Sequence, residues 1–339
     1  MVINTPPPFA TTVDYLSDPR FAARTRLVRR PPPGNLQDAA VIFGRILRAA
    51  RHEDVLLLTS SWGRLHPDIL AAAAIGLWPA RLRPIVVLMG CMWEPNNGIR
   101  LPLEKFILKL ADRAINRYVV QSTEELSVFP ETWGVDPAKV RFCPFFFSFT
   151  PEDLQAADNG PEGDYVFAGG NSHRDYEPLL AAARCMPERR FVFATHLLDH
   201  HEHLPPNVQV GLVSHRQFVT LMRSAAATIV PIRRGLRRAV GQQTYLNAMW
   251  LRRPTIVTDT LGVRDHVRHR ETALIVEGSP ESYLEALRWI FDPQNQAAVQ
   301  RLRHNARRVV QEQFSFEKHI ARLLNIMDET IGDNAHSGD

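Results

Sequence analysis

Short apolar runs alternate with amphipathic runs along this chain, and the alternation occurs twice, on either side of one polar stretch. In the first half, 36–50, 67–77 and 101–116 carry helical periodicity. Between and after them, 54–60 (DVLLLTS), 84–90 (PIVVLMG) and 117–121 (RYVVQ) read as strands. The stretch 148–164 (SFTPEDLQAADNGPEGD) is polar, with two prolines and two glycines, and interrupts the pattern. Beyond it, strands at 165–168, 191–195, 228–231, 255–259 and 273–276 accompany helices at 176–184, 214–226, 244–251, 280–291 and 296–313. Strands that are apolar throughout have no face suited to water, so they belong in parallel sheets covered by helices on both sides. The expected fold is α/β, with two Rossmann-like domains facing across a cleft and ligands at the carboxyl ends of the strands. The expected boundaries are 1–148 for the first domain, 149–164 for a linker, 165–325 for the second domain and 326–339 for a tail.

Size and composition agree with this. A chain of 339 residues with 45% hydrophobic and 22% charged residues has room for two domains of about 150 residues and is not a disordered composition. No apolar run reaches the ~20 residues that cross a bilayer. The nearest, 69–92, is broken by Pro79, Arg81, Arg83 and Pro84. Residues 1–10 carry three prolines and no apolar signal core. Cys91, Cys143 and Cys185 form no CxxC pattern and read as structural thiols of a reduced chain. A cytoplasmic protein is expected.

Of the 40 basic residues only Lys105, Lys109, Lys139 and Lys318 are lysines, leaving 36 arginines. That excess reflects either the base composition of the source genome or recognition of phosphate, which suits the guanidinium fork. Residues 1–150 carry 18 basic and 13 acidic groups, net +5, and 151–339 carry 22 and 23, net −1. Reversible contact with the inner face of an anionic membrane is therefore expected of the first half. There are no RNP aromatics, no KH-type GxxG in context and no zinc knuckle, so nucleic acid is not an expected partner.

Two strand-to-helix turns carry the chemistry. In 231–249 (PIRRGLRRAVGQQTYLNAM), a loop with Arg233, Arg234, Arg237 and Arg238 leads to Gly241, Gln242, Gln243 and Thr244 at a helix start. Unpaired backbone N–H groups and the helix dipole attract phosphate there, and a glycine permits close approach. The alternative is a basic surface loop before an ordinary helix cap. In 165–180 (YVFAGGNSHRDYEPLL), Gly169 and Gly170 end a strand and Arg174 precedes a helix. Alone, that arginine also reads as a solvated side chain. His196, His200, His201 and His203 cluster in THLLDHHEHLPPN, but Pro205 and Pro206 end any helix and no HExxH order exists. They read as a solvated loop or as a metal or nucleotide contact. In 101–116, Leu103, Phe106, Ile107 and Leu110 share one side, with Arg100, Lys105, Lys109 and Arg113 elsewhere. That suits a core-facing helix, or one resting on anionic lipid.

In order, these segments resemble the retaining glycosyltransferases of family 4, which have the GT-B fold. Residues 118–324 carry the resemblance. YVVQSTEELSVFPETWGVDPAKVRFCPFFFSF looks like the family's approach to its linker, and VFAGGNSHRDYEPLLAAAR like the first strand, turn and helix of its donor domain. PPNVQVGLVSHRQFVTLMRSAAATIVPI is similar to its nucleobase segment, and GQQTYLNAMWLRRPTIVTDTLGVRDHVRHRETALIVEGSPESYLEALRWIFD to its phosphate-and-ribose segment. The resemblance implies hexosyl transfer with retention from a nucleotide-diphosphate sugar to a carbohydrate, lipid or small-molecule acceptor, with no cofactor and no catalytic metal. The departing phosphate would itself take the acceptor proton. The resemblance assigns donor binding to Gly170, Asn171, Arg174, Val210, Arg238, Gly241, Gln242, Gln243, Thr244 and Asn247, with Arg174 also catalytic.

The chain departs from the family in three places. Ala239 and Asn247 stand where the family has two donor-loop glutamates. Pro6 to Pro8 occupy the place of its glycine-rich first loop, the first glycine being Gly34. GCMWEPNN lacks its histidine, and Glu94 is the nearest polar substitute and the second catalytic candidate. The alternatives are a catalytically degenerate scaffold or a nucleotide-sugar epimerase on the same fold.

Overall fold

The computed structural model describes residues 8–29, 36–59, 66–91, 93–96, 98, 100–150, 152–153, 163–201 and 203–336. Most of the expected linker (151 and 154–162), and Pro6 and Pro7, lie outside the described residues. The chain divides into two units, Met1–Pro144 with Glu317–Asp339, and Phe145–Phe316.

The first unit runs β1 (Phe9–Thr11), α1 (Pro19–Ala22), β2 (Thr25–Leu27), α2 (Leu36–Ala49), β3 (Val55–Thr59), α3 (Pro67–Ile75), β4 (Ile85–Met89), α4 (Arg100–Asp112), β5 (Ile115–Val120), α5 (Glu125–Trp133) and β6 (Val140–Phe142). Its strands form one parallel six-stranded sheet in the order β2-β1-β3-β4-β5-β6. All five residues of β3 are buried, as a strand covered on both faces requires. The core gathers Ile42 and Ile46 of α2, Leu56 and Leu58, Val86 and Leu88, and Tyr118.

The second unit repeats the scheme with β7 (Tyr165–Gly169), α6 (Glu177–Arg184), β8 (Arg190–Ala194), β9 (Val208–Val210), α7 (His215–Ser224), β10 (Ala227–Val230), α8 (Gln242–Trp250), β11 (Thr255–Thr258), β12 (Leu274–Val276), α9 (Pro280–Phe291) and α10 (Gln296–Gln313). Its parallel six-stranded sheet has the order β12-β11-β10-β7-β8-β9. The chain moves outward from β7 to β9, then returns to the other side of β7 as β10. The loops after β7 and β10 therefore part at the switch point, where doubly wound sheets open a ligand crevice. Local signals set the helix starts. Ser214 and Gln217 form a reciprocal capping box at α7, and Ser279 caps α9 with Pro280 in its first turn.

Three expectations change. The chain joins the second unit by Phe145, ahead of the expected linker: Phe147 N donates to Phe314 O at 3.0 Å, and its ring stacks on Trp250 with centroids 5.4 Å apart. In place of a tail beginning at 326, α11 (Phe316–His336) runs unbroken to the first unit, where Ile320, Leu323 and Met327 are buried. Arg24 pairs with Asp328 there, and Arg117 with Asp333. In α4, the buried residues are Leu108 and Ala111, whereas Leu103 and Phe106 are 58% and 59% exposed. The helix stops at Asp112 because Ile115 already belongs to β5.

His319 of α11 ties the first unit together. It is 3% exposed, and its Nδ1 donates to Pro144 O at 2.9 Å. Burial pushes its pKa down to about 4. The unfolded chain therefore binds the proton that the folded chain refuses between about pH 6.5 and about pH 4. Folding stability should fall as pH drops through that interval, by up to about 1.4 kcal/mol per pH unit from this group. Denaturant unfolding across the interval should show the slope, and His319→Gln should reduce it by this group's share. An unchanged slope in the variant would assign the acid sensitivity elsewhere.

Candidate functional site

The switch point of the second unit is closed by backbone pairing. Asp175 N donates to Pro231 O at 2.9 Å, and Arg233 N donates to His173 O at 2.9 Å. An antiparallel bridge joins Arg174 to Ile232. The turn after β7 and the turn after β10 are thus held as one surface, with their side chains fixed relative to each other.

Arg174 lies at the centre of this surface. Its Nη2 donates to Thr244 Oγ1 at 3.1 Å in the first turn of α8, and its Nη1 donates to Ser172 O at 2.9 Å. Its Nε is buried with no hydrogen-bond partner among the described residues. Burial lowers the Arg174 pKa, partly offset by Tyr176 and Tyr283. The guanidinium still stays charged at neutral pH, because an arginine starts so high. Gln242, 5% exposed, has an Nε2 that is likewise buried and unpartnered among the described residues. Buried donors are nearly always satisfied, so these two orphans, one in the turn after β7 and one in the first turn of α8, mark a candidate site for a ligand's acceptor oxygens.

Two glycines make the turns possible. Gly170 has φ +113°, and a Cβ there would lie 3.3 Å from Arg174 Nε. Gly241 has φ +83°, and a Cβ there would come within 2.8 Å of Ile232 Cδ1. Gly241 is thus required by the left-handed turn and by packing against Ile232, in addition to any approach of an anion. It starts α8 with no side-chain cap, which leaves first-turn N–H groups for another acceptor.

The other candidates are placed as follows. Asn171 Oδ1 accepts from Thr195 Oγ1 at 2.8 Å and from His196 N at 3.0 Å, locking the loop to the end of β8. Arg238 is 6% exposed. Gln243 Nε2 donates to Ser148 Oγ at 2.7 Å, and Asn247 Oδ1 accepts from Ser148 N at 2.9 Å. The Asn247 carboxamide is therefore engaged with the incoming chain. Val210 is half-buried at the end of β9, against the core rather than on the zipped loops. Glu94 lies in the first unit, beside a cavity of about 190 Å³ walled by Trp93, Trp133, Ile69 and Ile107. The structure brings together Gly170, Arg174, Thr244 and the start of α8. It does not bring Val210 to that surface.

His173 escaped the sequence reading. It occupies the left-handed region, φ 52°, between Arg174 and the arginine loop. Burial lowers its pKa to about 4, helped by Arg238, Arg233 and Arg174. The only signal in sequence was its place beside Arg174. The histidines after β8 form no helix, and His201 Nε2 instead pairs with Glu177 at 2.6 Å. Among the described residues, no group of three or more His, Cys, Asp or Glu side chains is arranged to hold a metal.

Gly241→Ala should cost about 1–2 kcal/mol through its left-handed backbone alone, and the Ile232 contact adds to that. Pairing it with Ile232→Val, which removes Cδ1, should recover the steric part and leave the backbone part. Denaturant midpoints of the two single variants and the double variant test this. Strict additivity would contradict the Gly241–Ile232 contact.

No protein-family model and no curated protein matches the chain. Solved structures do. A sucrose-phosphate synthase from Thermosynechococcus elongatus aligns at TM-score 0.66 with 15% identity, covering 93% of this chain and 85% of that one. A glycosyltransferase from Rickettsia africae aligns at 0.60 with 14% identity, covering 96% and 90%. Anabaena HepE in complex with UDP-glucose aligns at 0.58 with 13% identity, covering 97% and 91%. At this identity the likeness establishes the fold, an α/β chain of two parallel six-stranded sheets with the GT-B architecture.

Proposed function

We propose that this protein is a glycosyltransferase that moves a sugar from a nucleotide-diphosphate sugar to a carbohydrate, lipid or small-molecule acceptor, with retention. One observation carries the reading: the charged Arg174 guanidinium is held against Thr244 at an uncapped helix start, with its buried Nε unpartnered among the described residues. A nucleotide sugar cleaves by expelling a diphosphate whose charge grows in the transition state. Preset cations and helix N–H groups oppose that charge without reorganising. Arg174, Arg238 and the first turn of α8 supply them here, which is why the reading includes catalysis without a metal. The departing phosphate takes the acceptor proton, and Glu94 orients the acceptor hydroxyl. The UDP-glucose in the Anabaena HepE complex gives the donor class a precedent on this fold.

Arg174→Ala should weaken nucleoside-diphosphate binding about 10- to 150-fold, from the ~1.5–3 kcal/mol of a charge-assisted contact. Binding of the plain nucleoside should hardly change. Calorimetry measures both, and sugar transfer should persist in EDTA. Equal diphosphate affinity in the folded variant would remove the donor assignment and favour a scaffold role. Turnover of nucleotide sugar without acceptor would favour an epimerase.

The reading extends to location. No helix among the described residues is long and apolar enough to cross a membrane. On α4, exposed Leu103 and Phe106 stand among exposed Arg100, Lys105 and Lys109. That combination suits reversible docking on the anionic inner face of a membrane. Flotation with anionic vesicles should show binding that fades with salt and that drops in a Leu103→Ser, Phe106→Ser variant. Binding unaffected by both would assign the contact to another surface.

A further inference from the structure

We propose that His173 is a ligand of the donor diphosphate, and that its ring takes a proton from solvent when the diphosphate binds. The proposal rests on the nucleotide-sugar reading and adds a residue and a proton to it.

His173 is fixed where such a ligand is needed. Its carbonyl accepts from Arg233 N across the zipped loops, and its backbone sits at φ 52°, a region that histidine enters more readily than most residues. Its Nδ1 lies 3.5 Å from Arg233 Nη2, which as a guanidinium nitrogen is the donor. The unbound ring is therefore neutral, with its hydrogen on Nε2.

The charges acting on the ring are all cationic. Arg238 and Arg233 act from the facing loop and Arg174 from its own. Asp175 and Tyr283, the nearby acidic and phenolic groups, interact with each other and, in the case of Tyr283, with Arg174. Burial first, and then these cations, keep the ring neutral, while the buried Arg174 Nε beside it has no hydrogen-bond partner among the described residues and would take an anion's oxygen. The diphosphate diester of a nucleotide sugar carries two negative charges with no ionising group near neutral pH. Placed against Arg174 it offsets the cations and favours the imidazolium. No covalent bond breaks; Arg233 Nη2 releases Nδ1, one solvent proton is added there, and Nδ1–H and Nε2–H then both donate. As the diphosphate departs with growing charge, the imidazolium opposes that growth beside Arg174.

The direction with pH follows from linkage. The complex binds more protons than the unbound protein, so affinity rises as pH falls between the bound-state and unbound-state values. The unbound value is about 4. A return to the ordinary value near 6.5 in the complex would make the donor bind about tenfold tighter at about pH 5.5 than at about pH 7.5.

The test is calorimetry on the full chain with UDP-glucose, ADP-glucose and GDP-mannose, in buffers of different ionisation enthalpy. At about pH 6, binding should take up about three quarters of a proton. His173→Asn, which keeps a residue suited to the left-handed turn, should bind without that uptake and without the tenfold pH dependence. NMR titration of the unaltered chain should show one histidine resonance, missing from the variant, moving to a higher pKa on donor addition. Binding without proton uptake, or uptake that persists in His173→Asn, overturns the proposal and leaves the donor reading standing. Failure of all three nucleotide sugars to bind overturns both.

Discussion

The pairing of two loops at the switch between β7 and β10 governs the rest of the second unit. The strands only bring the loops near each other. The hydrogen bonds from Asp175 to Pro231 and from Arg233 to His173 make them one surface. Once they are joined, Arg174 reaches Thr244, and a guanidinium and a helix start face the same space. A loop surface already assembled spends no ordering free energy when a ligand binds to it.

The same pairing explains why arginine suits this place. Arg174 makes two hydrogen bonds within the protein and still keeps a third donor, Nε, for something else. A lysine ammonium at that position would have no planar fork to divide between positioning and recognition. Asn247, by contrast, uses its carboxamide to hold Ser148. At the position where an amide stands in place of the expected acid, the chain thus secures its own crossing into the second unit. The charge on this loop surface consequently comes from its arginines and a helix start.

The first unit follows a parallel logic with another outcome. Its sheet has the same kind of reversal, between β1 and β3, but the cavity described there is an aromatic one next to Glu94. The unit also recruits the end of the chain. α11 supplies Ile320, Leu323 and Met327 to its core, and His319 contacts Pro144 beneath them. The unit is therefore built from both ends of the sequence.

The alternation of apolar strands with amphipathic helices was enough to determine the fold class, because a strand such as β3, apolar at nearly every position, is stable only when both faces are covered. The Gly-Arg and Arg-Gly-Gln turns were legible for a similar local reason: glycine and clustered cations after a strand carry chemical meaning without any partner. Of the three-residue strands, β12 was legible within the apolar run 273–276, whereas β1, β6 and β9 were not, since three positions hold little periodicity. Sequence also left open which face of α4 is wet and which unit takes α11, because an amphipathic helix states that it has a partner without saying which. His173 is the clearest case of what only the tertiary structure decided. Its neighbour Arg174 is visible in the sequence, but the burial that chiefly keeps the ring neutral, and the Arg233 and Arg238 that add to it, come only when a loop about 60 residues away folds beside it.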